Sequence, residues 1–205
     1  MLFRSFLTHK KIGEKVRLKA AVLVELNSPL EILELESNDL EVGQVLVKIK
    51  MSGICGAQLL EIKGYKNNEK FLPHLMGHEG FGVVISVGAG ILDLKPGDSV
   101  VMHWRKSRGI EAIFPVYNWG NSEIGGGKVT TLSSYSVVSH NRLTKVPSDT
   151  NPVLGALMGC ALTTSFGLLE NNAKLRLGES VAVIGCGGLG LTTIQCAKLR
   201  GAGPI

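Results

Sequence analysis

At 205 residues the chain is long enough for one domain and part of a second. Its net charge of +5 is confined to the first 20 residues, where six basic side chains face one acidic, so the remainder is neutral and lacks the clustered basic face that nucleic-acid binding needs. No apolar run reaches the roughly 18 residues that span a membrane; the longest, around Phe81–Leu92, is broken by three glycines.

Residues 1–18 are rich in Arg and Lys and nearly free of acidic residues, as transit peptides are, but have no long apolar core and no small-residue cleavage site. They read as an N-terminal extension. Lys19–Glu25 and Leu30–Glu36 read as strands joined through the turn Asn27-Ser28-Pro29. Gln44–Met51 alternates apolar and polar residues and is the clearest half-buried strand. Gly80–Val87, Ser99–Met102 and Leu132–Ser139 follow as strands, separated by the turns Gly88-Ala89-Gly90 and Lys95-Pro96-Gly97-Asp98. Short strands with frequent turns predict a small barrel. The pattern then changes. Pro152–Leu169 reads as helical, Val181–Ile184 as a short apolar strand, and Gly188 to about Arg200 as a helix. A β-rich unit thus hands over to a strand–turn–helix unit near residue 165.

Four cysteines and no secretory signal point to a reducing cytoplasm with free or metal-bound thiols. Two of them, Cys55 and Cys160, share a context with His78: each lies at an element end and is flanked by glycine. Two thiolates and one imidazole suit a catalytic zinc that keeps one position open. Spacing alone does not separate that reading from two buried cysteines and a satisfied core histidine, since neither C-x-x-C nor H-x-x-x-H occurs.

The flanking residues carry further information. Gly53-Ile54-Cys55-Gly56, Gly77-His78-Glu79-Gly80-Phe81-Gly82-Val83-Val84, Val87-Gly88-Ala89-Gly90 with Leu94-Lys95-Pro96-Gly97-Asp98-Ser99-Val100-Val101, Gly159-Cys160-Ala161-Leu162-Thr163-Thr164-Ser165-Phe166-Gly167 and Val181-Ala182-Val183-Ile184-Gly185-Cys186-Gly187-Gly188-Leu189-Gly190 follow in that order. In this the chain, from about Lys19 to Ile205, resembles the zinc-dependent medium-chain dehydrogenase/reductases, the alcohol dehydrogenases. The resemblance implies an α/β chain. Residues 19–165 would form a GroES-like, β-barrel-type catalytic domain, and 166–205 the first strand–turn–helix of a Rossmann NAD(P)-binding domain. It implies Cys55, His78 and Cys160 as ligands of one catalytic zinc, with Glu79 beside the metal as a transient ligand. It implies Trp104 as a wall of the substrate pocket, although a packed loop aromatic remains equally open there. It implies Thr164 as a nicotinamide contact. The substrate would be a small-molecule alcohol or carbonyl, exchanging hydride with NAD or NADP, and the full-length protein a homo-oligomer.

Three departures stand beside the first cysteine. Where the family often starts a proton relay with Ser or Thr the chain has Ala57; a frequent histidine is Leu60; and the aspartate that orients the zinc histidine is Gln58, which can accept a hydrogen bond but brings no charge. Residues 104–128 contain no cysteine, so the family's second, structural zinc is not expected.

Gly185-Cys186-Gly187-Gly188-Leu189-Gly190 fits G-x-G-x-x-G between an apolar run and a helical pattern. Gly185 would allow the turn, and Gly187, Gly188 and Leu189 would bring backbone amides to a pyrophosphate. Gly190 would allow close packing. Cys186 reads as a passenger in the loop and Cys196 as a core helix residue, while His74, His103 and His140 read as structural or surface residues. The sequence ends 20 residues after Gly185, before a ribose-binding acid and further sheet strands, so the chain reads as truncated. Two alternatives remain: a non-catalytic zinc-binding fragment, and a zinc-free quinone or enoyl reductase, which the retained ligand set disfavours.

Overall fold

The computed structural model describes residues 15–66 and 69–205; most of the N-terminal extension, residues 1–14, lies outside them. The elements run β1 (Arg17–Leu23), β2 (Glu31–Ser37), β3 (Gln44–Ser52), α1 (Gly56–Ile62), β4 (His74–Leu75), β5 (Glu79–Val87), β6 (Ser99–His103), β7 (Val116–Trp119), β8 (Ser122–Gly125), β9 (Tyr135–Ser139), β10 (Leu143–Val146), α2 (Pro152–Met158), α3 (Ala161–Gly167) and α4 (Gly188–Leu199). The first strand starts at Arg17, with Val16 and Leu18 already buried, so the folded part begins before residue 19.

The strands form two layers. β1, β2, β7, β8 and β4 close a barrel, while β10, β6, β5, β3 and β9 form a five-stranded sheet. The alternation in β3 decides how the layers meet. Leu46 joins Leu18, Val22, Tyr117 and Ile124 in the barrel core, whereas Val45 and Val47 join Val84, Val100 and Met102 on the other side. Both faces of that half-strand are covered, so it is buried throughout rather than half-buried. Tyr117 ties the layers together: its ring is fully buried and its hydroxyl accepts the N–H of Val137 at 2.8 Å. The ladder between β3 and β5 slips between Ile49 and Met51, a bulge that redirects the chain just before Cys55.

The helical stretch expected over Pro152–Leu169 is broken. Asn151 starts α2 by accepting the N–H groups of Val153 (2.9 Å) and Leu154 (3.3 Å), with Pro152 in the first turn. α2 packs Ala156 against Phe81 and Val101. The chain leaves helical geometry at Cys160 (φ −141°, ψ −65°), and α3 begins there, running into a π-helical turn at Leu168–Asn172.

The expected strand Val181–Ile184 does not form. No strand lies beside it among the described residues, and Ile184 is fully exposed. Apolar β-branched residues favour a strand only when a neighbour supplies the ladder bonds and covers a face. α4 does form, but it turns Thr192, Thr193, Cys196 and Ala197 inward and leaves Leu189, Leu191 and Leu199 exposed. Among the described residues no single helix is long and apolar enough to cross a membrane.

Candidate metal centre

Three separate element ends meet at one point. Cys55 lies between β3 and α1, His78 immediately precedes β5, and Cys160 sits at the break between α2 and α3. One ligand atom from each converges, all within 4.8 Å of one another, and all three residues are part-buried. A tetrahedral zinc with Zn–S near 2.3 Å places its ligand atoms about 3.8 Å apart. The donor set therefore fits the ion after small side-chain adjustments.

Glycines allow the approach. Gly77 holds φ +97°, a conformation side chains rarely adopt, and a Cβ there would meet Leu132 N at 2.8 Å. A Cβ on Gly53 would strike the Glu79 carboxyl at 2.7 Å, and one on Gly159 would come within 2.9 Å of Glu79 Cα. The strand ends are also stitched together, Gly53 N–H donating to the Glu79 carbonyl at 3.1 Å and Ser52 Oγ lying 2.9 Å from Thr131 Oγ1. These supporting hydroxyls carry no motif, and sequence reading did not find them.

The electrostatics suit a cation. Burial pushes the Cys160 thiol up to about 11, reinforced by the nearby Cys55 and Glu79. Burial, then the Lys66 charge, lowers the pKa of His78, which favours the neutral imidazole that binds metals. Burial raises the pKa of Glu79, partly offset by the Ala161 N–H, which donates to its Oε2 at 3.4 Å. A positive ion would relieve the strain at Cys160 and Glu79 by holding their anionic forms, and would bind the neutral imidazole of His78. Glu79 stands beside the trio and is not one of the three converging ligands.

The other predicted residues fall around this point. The β5–β6 ladder pairs Glu79 with His103, so Trp104 follows on the strand edge next to the His78 side of the site. Trp104 is 58% exposed, and the Arg142 guanidinium lies 5.7 Å from its ring. Thr164 is one turn into α3, where its N–H donates to the Cys160 carbonyl at 2.9 Å and its hydroxyl acts to lower the pKa of the Cys160 thiol. Gln58 does accept a hydrogen bond, but from the Cys55 backbone N–H at 2.6 Å. His103 spans the Arg105 carbonyl and Thr144 Oγ1, and His140 spans Ile110 N–H and Asp93.

The glycine-rich loop is formed although its strand is not. Gly185 has φ +97°, and a Cβ on Gly190 would collide with the Gly185 carbonyl oxygen. Around Gly187 and Gly188 the space is open, and α4 starts at Gly188 after the N-cap Gly187, with no side-chain cap on its amides. Leu189 is about half exposed in the first turn. Such a terminus offers free N–H groups and a partial positive charge to a phosphate. Cys186 is exposed in this loop and Cys196 is buried, as expected. A hydroxyl cluster links the two sites: Ser165 on α3 lies 2.8 Å from Thr192 Oγ1 and 3.1 Å from Thr193 Oγ1 on α4.

Comparison with known proteins gives concordant results. The model of the alcohol dehydrogenase GroES-like domain matches residues 41–148. An S-(hydroxymethyl)glutathione dehydrogenase of Haemophilus influenzae is 31% identical over 96% of this chain and 58% of its own length. A class-3 alcohol dehydrogenase of Cereibacter sphaeroides is 33% identical over 93% of this chain and 57% of its own. The crystal structure of an alcohol dehydrogenase zinc-binding domain protein from Burkholderia ambifaria superposes with a TM-score of 0.83 at 24% identity, covering 92% of this chain and 58% of that one. The chain thus spans 57–58% of the length of these curated relatives.

Proposed function

Because this chain belongs to the alcohol dehydrogenase family defined by the GroES-like domain, we propose that it is the zinc-holding part of an oxidoreductase that moves hydride between a small-molecule alcohol, or the matching aldehyde or ketone, and NAD or NADP. The observation that carries this reading is the convergence of Cys55, His78 and Cys160 within 4.8 Å from three distant points of the chain. On this reading residues 19–165 are the catalytic unit and 166–205 open a dinucleotide-binding unit.

Each residue then has a task. Cys55, His78 and Cys160 hold one zinc, which supplies a Lewis acid that lowers the pKa of an alcohol hydroxyl. Two thiolates offset the charge of the ion. Glu79, a buried carboxyl beside the ligands, would serve as a transient ligand of the ion. Ala57 carries no hydroxyl, so a proton leaving the substrate travels by water or Glu79. Trp104 flanks the site and limits the size of substrates. Gly185, Gly187, Gly188, Leu189 and Gly190 would receive the pyrophosphate at the start of α4, and Thr164, one turn from Cys160, would contact the nicotinamide.

Elemental analysis of the purified protein tests the core of this reading. One zinc per chain is expected, and Cys160→Ser should lower the amount that survives dialysis against a chelator. A wild-type protein without zinc sinks the proposal. A second reading, a zinc-binding unit that does not itself turn over, is favoured by Val181–Ile184, which pairs with no strand among the described residues. Zinc without binding of NAD or NADP in a fluorescence titration selects it; zinc with such binding selects the oxidoreductase.

A further inference from the structure

Gln58 lies in the first turn of α1 and is 2% exposed, yet its amide is only half used. Oε1 accepts the Cys55 N–H at 2.6 Å, while Nε2 has no hydrogen-bond partner among the described residues. The Cys55 N–H fixes which way the amide faces. Turned over, it would set NH2 against N–H and leave the backbone donor without an acceptor. A buried amide donor without a partner is rare, because burial strips its water. The other two orphaned nitrogens, Nε of Arg142 and of Arg200, differ in kind: their guanidinium groups are already bonded, to Trp104 and Glu111 and to Glu170 and Leu175.

This free donor belongs to the side chain that already holds the Cys55 backbone, and it makes no hydrogen bond to the Cys55 sulfur in this structure, so it calls for an acceptor at the metal centre. His78 is the residue this position would be expected to serve, through an acceptor, but the Gln58 acceptor is committed to the backbone of Cys55. What remains on Gln58 is a donor, and a thiolate is an acceptor that exists only when the cysteine has lost its proton to a cation. We propose that Gln58 is a positioning residue for the metal centre, its Nε2–H donating to the Cys55 thiolate once a cation is held by Cys55, His78 and Cys160. This rests on the reading of the trio as a metal site. Gln58 then grips one ligand twice, by its backbone N–H and by its sulfur. It draws electron density from the thiolate, where an aspartate would push density through the imidazole.

Cadmium and cobalt substitution of the whole chain test the proposal without relying on turnover. In protein loaded with cadmium-113, a glutamine side-chain amide proton should show scalar coupling to the metal across the N–H···S bond, and Gln58→Met should remove that signal. In the cobalt form, Gln58→Met and Gln58→Glu should both move the sulfur-to-metal charge-transfer bands to lower energy. Zinc affinity should fall about 10- to 100-fold in Gln58→Met, the range for lost outer partners of a metal ligand. Gln58→Glu keeps an oxygen for the Cys55 N–H, so a residue that merely caps α1 would be fully rescued by it, with bands at the wild-type energy. That rescue, or metal-loaded wild-type protein without the coupling, overturns the inference and leaves the metal site standing. A wild-type chain that takes up no zinc, cobalt or cadmium overturns both.

Discussion

Two stretches of this chain look alike on paper and behave oppositely in space. Ser99–His103 and Val181–Ile184 are both short, apolar and rich in valine. The first is β6, paired with β5 on one side and β10 on the other, and its Val100 and Met102 are fully buried. The second is no strand at all, and Ile184 is bare. The difference is the neighbours: apolar character says that a segment wants cover, and only the rest of the fold supplies it. The same contrast separates the two sites. Three element ends packed between β-layer and helices bring Cys55, His78 and Cys160 together, whereas the helix after the glycine-rich loop meets α3 and the turn that follows it through the Ser165, Thr192 and Thr193 hydroxyls and the cluster of Leu169, Leu175, Cys196 and Ala197.

The contrast can be broken from either end. The largest effect is expected at the packed site: Cys160→Ala should weaken zinc binding roughly 100- to 1,000-fold, one ligand's share of a binding free energy of roughly 10–16 kcal/mol. Competition against a chromophoric chelator measures it, and an unchanged constant would remove Cys160 from the ligand set. In the sheet core, Met102→Ala should cost about 2–5 kcal/mol in urea unfolding, since the side chain is completely enclosed.

A smaller, graded effect follows from the thiol chemistry. The Cys160 thiol sits near 11 without metal, so zinc must displace its proton at any ordinary pH. Apparent affinity should rise about tenfold per pH unit for that proton alone. His78 has a lowered pKa, so its proton competes only below the ordinary histidine range. Zinc titrations at several pH values read the slope; a flat profile would mean the thiolates are already formed. Smallest of all, Ile184→Ser should change stability by no more than about 0.5 kcal/mol, as a substitution away from any packed feature. If it costs as much as Met102→Ala, the segment is covered in solution and the contrast fails.

Much of the site was legible from residues 53–56, 77–84 and 159–167, where glycines beside Cys55, His78 and Cys160 mark close approach. The reasons are visible in Gly77, with its positive φ, and in Gly53 and Gly159, both packed on Glu79. What was not legible is what each polar group does once there. Gln58 stands where the family places an aspartate for the zinc histidine, and it accepts from the backbone N–H of Cys55. Ser52, Thr131 and Ser165 look like ordinary polar residues in sequence, yet they fasten the strand ends and join α3 to α4.

The sequence by itself determined the strand periodicity and the turns, because these depend on side-chain type and on neighbours within a few residues, and its family resemblance offered Cys55, His78 and Cys160 as the candidate ligand set. The tertiary structure decided the rest. It put Leu46 in one core and Val45 in another, it broke the helix at Cys160 so that a sulfur faces His78, and it left Val181–Ile184 without a ladder. Each of these turns on contacts between residues far apart in the chain, and the free energy of such contacts is set by what lies opposite, which no local pattern records.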